Sequence, residues 1–261
     1  MSNSVKNNIT KHEKALKNDI FFTEKRWPHF NLLFEDIKKL SKNKKKLKVL
    51  IIERSYLYGE LSLLAPFFQK HNVISIDCTP KKLVSRGNYN KHLTINPDII
   101  KFKSNYHFDY KKINLKEKNF DLVIIPNLIH HIADHKSLFV KTKKILKKKG
   151  KLYIFEPLLR ELHQKPEDYL RYTPYGLKDQ LIKNKFKNFK IKEEGSIFTS
   201  ILYCWDQAFQ YLPKQLRKTE YNKFFKNDFK KLLKFEKLYK KNLVRNNTSF
   251  PVSYSVTCNN S

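Results

Sequence analysis

Two adjacent histidines, His130 and His131, follow the apolar run Phe120–Pro126, and a glutamate, Glu156, follows a second run, Lys151–Phe155. Imidazole exchanges a proton near neutral pH, and a carboxylate orients a hydroxyl or takes its proton, so these three are candidate catalytic residues. Each has a plain structural reading as well. A histidine packs at a helix start, and Glu156 before Pro157 suits a solvated turn. Asp77 closes the run Val73–Ile76, where a carboxylate can accept hydrogen bonds from two ribose hydroxyls or simply open a turn with Thr79-Pro80. Glu53 closes an earlier run, Leu47–Ile52, and leads into the stretch Arg54 to Gly59. Arg160, Arg171 and Tyr172 lie in a long connection that reads as a lid over a pocket. Arg171 suits bidentate clamping of a phosphate or carboxylate, or equally an ion pair with Asp168 or Glu167. Trp205, with Tyr203 and Asp206, falls in a later helical stretch, as pocket lining or as core. The cysteines Cys78, Cys204 and Cys258 have neither disulfide-framework nor metal-knuckle spacing, and no metal is expected.

The elements that must position these residues alternate in type. An amphipathic helix is predicted from about Phe30 to Leu40, after a polar stretch over 1–25 with a weak helical pattern. Apolar strands follow at 47–52, 73–76, 120–126 and 151–155, separated by helical patterns at 60–69 and 136–147, with Lys148-Lys149-Gly150 as a turn. Thr173 and Pro174 have the types favoured at a helix N-cap and first turn. A strand at 189–194, helices from about 201–212 and 219–243, and an alternating strand at 251–258 complete the chain. Short strands alternating with helices predict a mostly parallel α/β sheet, and in such a sheet ligands sit outside the carboxyl ends of the strands. The candidate residues cluster at those ends.

The chain has 261 residues, is 40% hydrophobic, and carries a formal net charge of +30. That composition is globular, and no apolar run approaches the roughly 18 residues needed to span a bilayer. A soluble, reducing, cytoplasmic setting is expected, because no leader pattern precedes the polar N-terminus. The lysines are spread along the whole chain, as a compositional bias would spread them, although a large basic excess also suits an anionic partner such as nucleic acid.

In order and spacing these motifs resemble the class I S-adenosylmethionine-dependent methyltransferases. The stretch from Glu53 to Gly59 resembles the family's acidic–x–Gly–x–Gly–x–Gly loop, with Ser55 at the first glycine position, Leu57 at the second and Gly59 at the third. The run Asp77-Cys78-Thr79-Pro80 resembles its ribose-binding turn. The stretch FDYKKINLKEKNFDLVII is similar to its adenine-contacting segment, and NLIHHIADHKSLFVKTKKILKKKGKLYIFEP to the part that follows. The resemblance implies a Rossmann-like methyltransferase fold with a helical insertion before the last strand. It implies S-adenosylmethionine as cofactor, held near Glu53, Ser55, Gly59, Asp77, Asp109, Tyr110 and Asn127. On the substrate side it implies His130, His131, Glu156, Arg160, Arg171, Tyr172 and Trp205. Leu57 is the departure, because a branched side chain stands where backbone must approach the cofactor.

The expected organisation is a helical extension over 1–46, a core over 47–195, a helical cap over 196–248 and a returning strand over 249–261. The expected function is methyl transfer to a small-molecule acceptor such as a sugar or cell-envelope precursor, a likeness suggested by the stretch DYLRYTPYGLKDQLIKNKF. RNA or protein methylation is the alternative the charge favours, and a non-catalytic binding protein is the one Leu57 favours. A monomer or homodimer is expected.

Overall fold

The computed structural model describes residues 3–19, 30–54, 61–80, 96–107, 115–241 and 249–261. Its centre is a seven-stranded sheet in the order β3-β2-β1-β4-β5-β7-β6. The strands are β1 (Lys48–Glu53), β2 (Asn72–Asp77), β3 (Tyr106–His107), β4 (Phe120–Pro126), β5 (Leu146–Pro157), β6 (Phe186–Glu194) and β7 (Ser253–Asn260). The β1 strand pairs in parallel with both β2 and β4, and β4 with β5, whereas β7 runs antiparallel between β5 and β6. The chain moves outward from β1 to β3, then returns to β1's other side with β4. That reversal opens a crevice at the carboxyl ends of β1 and β4, where open α/β sheets bind ligands. The expected Rossmann-like architecture is the one found.

The helices cover both faces because the strands alternate their apolar side chains. Leu50, Ile52, Val123, Ile125, Leu152 and Ile154 point to one face, beneath α3 (His135–Ile145) and α4 (Pro174–Lys183), which contribute Leu138, Phe139, Leu177 and Leu181. Val49, Ile51, Leu122, Ile124, Tyr153 and Phe155 point to the other. There they meet Leu16 of α1 (Asn3–Asp19), Leu33, Phe34 and Ile37 of α2 (Asn31–Ser41), and Phe67 and Phe68. Between β6 and β7 lie α5 (Ile197–Gln210), α6 (Lys214–Phe224) and α7 (Lys230–Lys241), joined around a smaller cluster of Leu202, Phe209, Phe224 and Phe229. Among the described residues no helix is long and apolar enough to cross a membrane.

The N-terminal stretch is helical, as the expected helical extension has it, and three other expectations change. The polar N-terminal stretch is a helix, α1, pinned by His12, which donates from Nε2 to the Leu63 carbonyl at 3.0 Å and accepts the Ile100 N–H on Nδ1 at 3.0 Å. The helix expected over 60–69 is only a 3-10 turn at Ala65–Phe68, preceded by an isolated bridge from Leu61 to Lys103. Pro66 lacks the N–H that a longer helix would use there. Lys148-Lys149-Gly150 is no turn between elements. It lies within β5, where Lys149 adopts φ 62° and the register with β4 shifts. The last helix starts earlier, at Lys214, and a π-helical turn at Phe225–Phe229 separates α6 from α7. The cap on α4 is as the sequence suggests: the Thr173 side chain accepts the Gly176 N–H at 3.0 Å, and Pro174 fills the first turn.

Candidate active site

Strands β1 and β2 end in register, with Glu53 opposite Asp77, so two buried carboxyls lie side by side. The Glu53 carboxyl accepts hydrogen bonds from the Ser62 hydroxyl and, at 3.3 Å, from the Leu63 N–H. Burial pushes its pKa up to about 8, the hydrogen bonds from Ser62 and Leu63 opposing that shift and the neighbouring Asp77 adding to it. Asp77 Oδ1 accepts the Thr79 N–H at 2.9 Å and the Thr79 hydroxyl at 2.6 Å, which closes the turn after β2. Glu53 thereby anchors the chain re-entering the core after the loop, and Asp77 shapes the end of β2. Ser55, Leu57, Gly59, Asp109 and Tyr110 lie outside the described residues.

At the end of β4 the backbone turns sharply. Asn127 takes φ 51°, a left-handed conformation that asparagine tolerates, while its N–H donates to the Phe155 carbonyl at 2.7 Å. Its side-chain oxygen is buried with no hydrogen-bond partner. The next residues wrap the Glu156 carboxylate. Oε1 accepts the N–H groups of Leu128 at 2.8 Å and Ile129 at 2.7 Å, and Oε2 lies 2.6 Å from His130 Nδ1. Burial raises Glu156 to about 7, against the pull of those N–H groups. Burial also drives His130 well below its ordinary pKa, helped by the positive charges of Arg171, His163 and Arg160.

The connection from β5 to α4 folds over this end of the sheet. The Tyr169 N–H donates to the His130 carbonyl at 2.8 Å, and His131 Nδ1 meets the Glu167 carbonyl at 2.5 Å. Arg54 pairs with Glu167 at 3.0 Å, Arg171 with Asp168 at 2.8 Å, and Arg160 with Glu161 at 3.4 Å. The Arg171–Asp168 pair is the ion-pair alternative of the sequence reading, and Asp168 is held well below its usual pKa although burial alone would raise it. Tyr172 lies edge-on to His135, 5.2 Å between ring centres, and its carbonyl accepts the Tyr254 hydroxyl at 2.8 Å. Trp205 is half exposed and stacks on Phe224 at 5.9 Å, within the cap cluster.

The fold therefore gathers Glu53, Asp77, Asn127, His130, His131, Glu156, Arg160 and Arg171 at or over the carboxyl edge. Among the described contacts, Trp205 is tied to the cap instead. Sequence reading passed over Arg54, Ser62 and His163. Ser62 follows the loop in a stretch read as helix, and His163 stands alone in a connection with no periodicity.

The comparisons bear on the domain and the fold. A family profile described as "Methyltransferase domain" matches residues 59–154, the span from the third glycine position to the middle of β5. A structure of phosphoethanolamine N-methyltransferase 2 from Haemonchus contortus with S-adenosyl-L-methionine is 16% identical, with a TM-score of 0.51. The alignment covers 96% of this chain but only 56% of that one, so the chain spans just over half the length of that relative. The same enzyme with phosphomonomethylethanolamine and S-adenosylhomocysteine gives 14% identity, a TM-score of 0.50 and the same coverage. A SAM-dependent methyltransferase from Archaeoglobus fulgidus is 14% identical at a TM-score of 0.48, covering 91% of this chain and 97% of its own. No curated protein matches in sequence. Residues 59–154 thus carry a match to a methyltransferase domain, and the chain shares the fold of these S-adenosylmethionine-dependent methyltransferase structures.

Proposed function

We propose that the protein transfers a methyl group from S-adenosylmethionine to a small-molecule acceptor, a sugar or cell-envelope precursor being the class favoured by the stretch 168–186. The observation carrying this reading is the pair of buried acids, Glu53 and Asp77, closing adjacent parallel strands at the crevice of a methyltransferase-domain fold. Buried carboxyls are unfavourable unless hydrogen-bond donors meet them, and a ribose diol supplies such donors.

Asp77 binds the ribose in this reading, Asn127 offers its buried side-chain oxygen to the cofactor's donors, and Glu53 holds the Ser62–Leu63 backbone beside them. Bound there, the cofactor supplies an electrophilic methyl group. The chain's own contribution is alignment and exclusion of water. His130 and His131 face the acceptor as neutral imidazoles. Glu156 acts as a positioning residue, since its oxygens are taken by the backbone of β4's end and by His130. Arg160, Arg171 and Tyr172 belong to the connection that closes the acceptor side. Half-exposed Tyr169 and exposed Leu162 on that connection suit an acceptor with an apolar portion.

The test is methyl transfer from labelled S-adenosylmethionine to a panel of small hydroxylated and amino acceptors, with RNA and unfolded protein as comparison substrates. Label on a small acceptor, lost on substituting Asp77 by alanine, supports the reading. Label carried only by RNA or protein would overturn the acceptor assignment.

A further inference from the structure

Three histidines meet over the carboxyl end of β4, and one of them, His163, comes from the overlying connection. One ring nitrogen from each of His130, His131 and His163 lies within 4.8 Å of the other two. The ring centres are 4.0 Å apart for His130 and His131, 4.9 Å for His131 and His163, and 5.3 Å for His130 and His163. We infer that these residues form a binding site for a divalent transition-metal cation of zinc type, with a coordination position left open for an oxygen or nitrogen of a small molecule.

The tautomers make the case. His131 Nδ1 faces the Glu167 carbonyl, and His163 Nδ1 faces the Glu161 carbonyl at 3.1 Å and Asp168 Oδ2 at 3.2 Å. Those oxygens only accept, so each Nδ1 carries the hydrogen. His130 Nδ1 faces Glu156 Oε2 at 2.6 Å, an oxygen of a carboxyl group whose other oxygen already accepts two backbone N–H groups. Every Nδ1 is thus a donor, and every Nε2 keeps a lone pair. This is the outer shell that metal-ligating histidines have, in which the far ring N–H is held by a carboxylate or carbonyl.

The lone pair on His130 Nε2 is left over. His130 is only 2% exposed, and that nitrogen has no hydrogen-bond partner. A buried polar atom without a partner marks a place where something else binds. Neutral imidazoles suit zinc and its neighbours, and three of them with an open position is a recurring zinc arrangement.

The surrounding charge permits a cation. Arg54, Arg160 and Arg171 each face a carboxylate, on Glu167, Glu161 and Asp168, and Glu156 remains as an additional acid beside His130. Zinc–nitrogen bonds of about 2.0–2.1 Å require nitrogens roughly 3.3 Å apart, so binding draws His163 and its connection inward. The assignment of the open position to the methyl acceptor rests on the proposed function. The metal site itself does not.

The test uses the full chain, stripped with chelator and held in mildly alkaline buffer. Zinc titration by calorimetry and cobalt(II) titration by visible absorption should each show one equivalent, the cobalt with tetrahedral-type bands. His163→Ala should weaken binding at least tenfold while leaving the far-ultraviolet dichroism unchanged. His163→Cys should restore affinity and add a thiolate-to-cobalt charge-transfer band. Absence of stoichiometric binding, or equal affinity in His163→Ala, would overturn the inference. S-adenosylmethionine titrated into the same sample reports the methyltransferase reading separately, so failure of one is not mistaken for failure of the other.

Discussion

Glu53 and Asp77 bring two carboxyls together where solvent cannot screen them, and the hydrogen bonds they receive differ. Glu53 takes its donors from Ser62 and Leu63, and burial raises it from 4.5 to about 8. The sign of the consequence follows from proton linkage. The folded state binds the proton more tightly than the unfolded chain, so this group's stabilisation is full below the unfolded pKa and is lost as pH rises through about 8. Glu53→Gln removes the titration while keeping an oxygen for the Leu63 N–H and an amide beside the Ser62 hydroxyl. Urea unfolding at a series of pH values should show a shallower loss of stability in alkali for this variant than for the parent chain. Equal slopes would mean that Glu53 is ionised throughout. Glu53→Ala, by contrast, leaves both donors buried and unmet, at a cost of about 1–3 kcal/mol.

At the scale of elements, β5 contains the clearest consequence of sequence for geometry. Gly150 lies where an added Cβ would come within 2.8 Å of the Lys147 carbonyl oxygen and 2.9 Å of the Phe120 carbonyl oxygen, both backbone atoms. Neither can move without disturbing the register of β4 and β5. Gly150→Ala should therefore destabilise the protein by about 1–3 kcal/mol, read as a lowered midpoint of thermal unfolding. An unchanged midpoint would show that the bulge yields easily. The same run shows what a single sequence conveys. Lys148-Lys149-Gly150 announces a break in regular structure, but whether the break joins two elements or kinks one depends on the neighbouring strand. The strands β1, β2 and β4 were legible because their apolar runs must be covered on both faces, and β7 because its residues alternate. The helix α1 gave only a weak pattern, since its polar surface hides a short buried strip, Ala15 and Leu16 with His12, whose partners lie some fifty residues or more along the chain. The five-residue π-helical turn between α6 and α7 left no periodic signal.

For the whole molecule, topology converts residues distant in sequence into one edge. Glu53, Asp77, Asn127, His130 and Glu156 could be assigned to strand ends from apolar runs alone, because a parallel sheet places all those ends on one side. His163 could not, because the connection carrying it is positioned by ion pairs such as Arg54–Glu167 and Arg171–Asp168 rather than by periodicity. The net charge of +30 acts at this scale too. Binding to RNA or other polyanions should weaken steeply with salt, since each neutralised phosphate releases counterions, whereas cofactor affinity should change little over the same range. Salt-resistant, saturable RNA binding would instead point to a nucleic-acid acceptor. The central claim, that the crevice at Glu53 and Asp77 holds S-adenosylmethionine, is tested most directly by calorimetric titration of the full chain with that cofactor. Saturable binding is expected, weakened by about tenfold or more in Asp77→Ala through loss of a charged hydrogen-bond acceptor. No heat of binding at millimolar cofactor, or an unchanged dissociation constant in that variant, would contradict it.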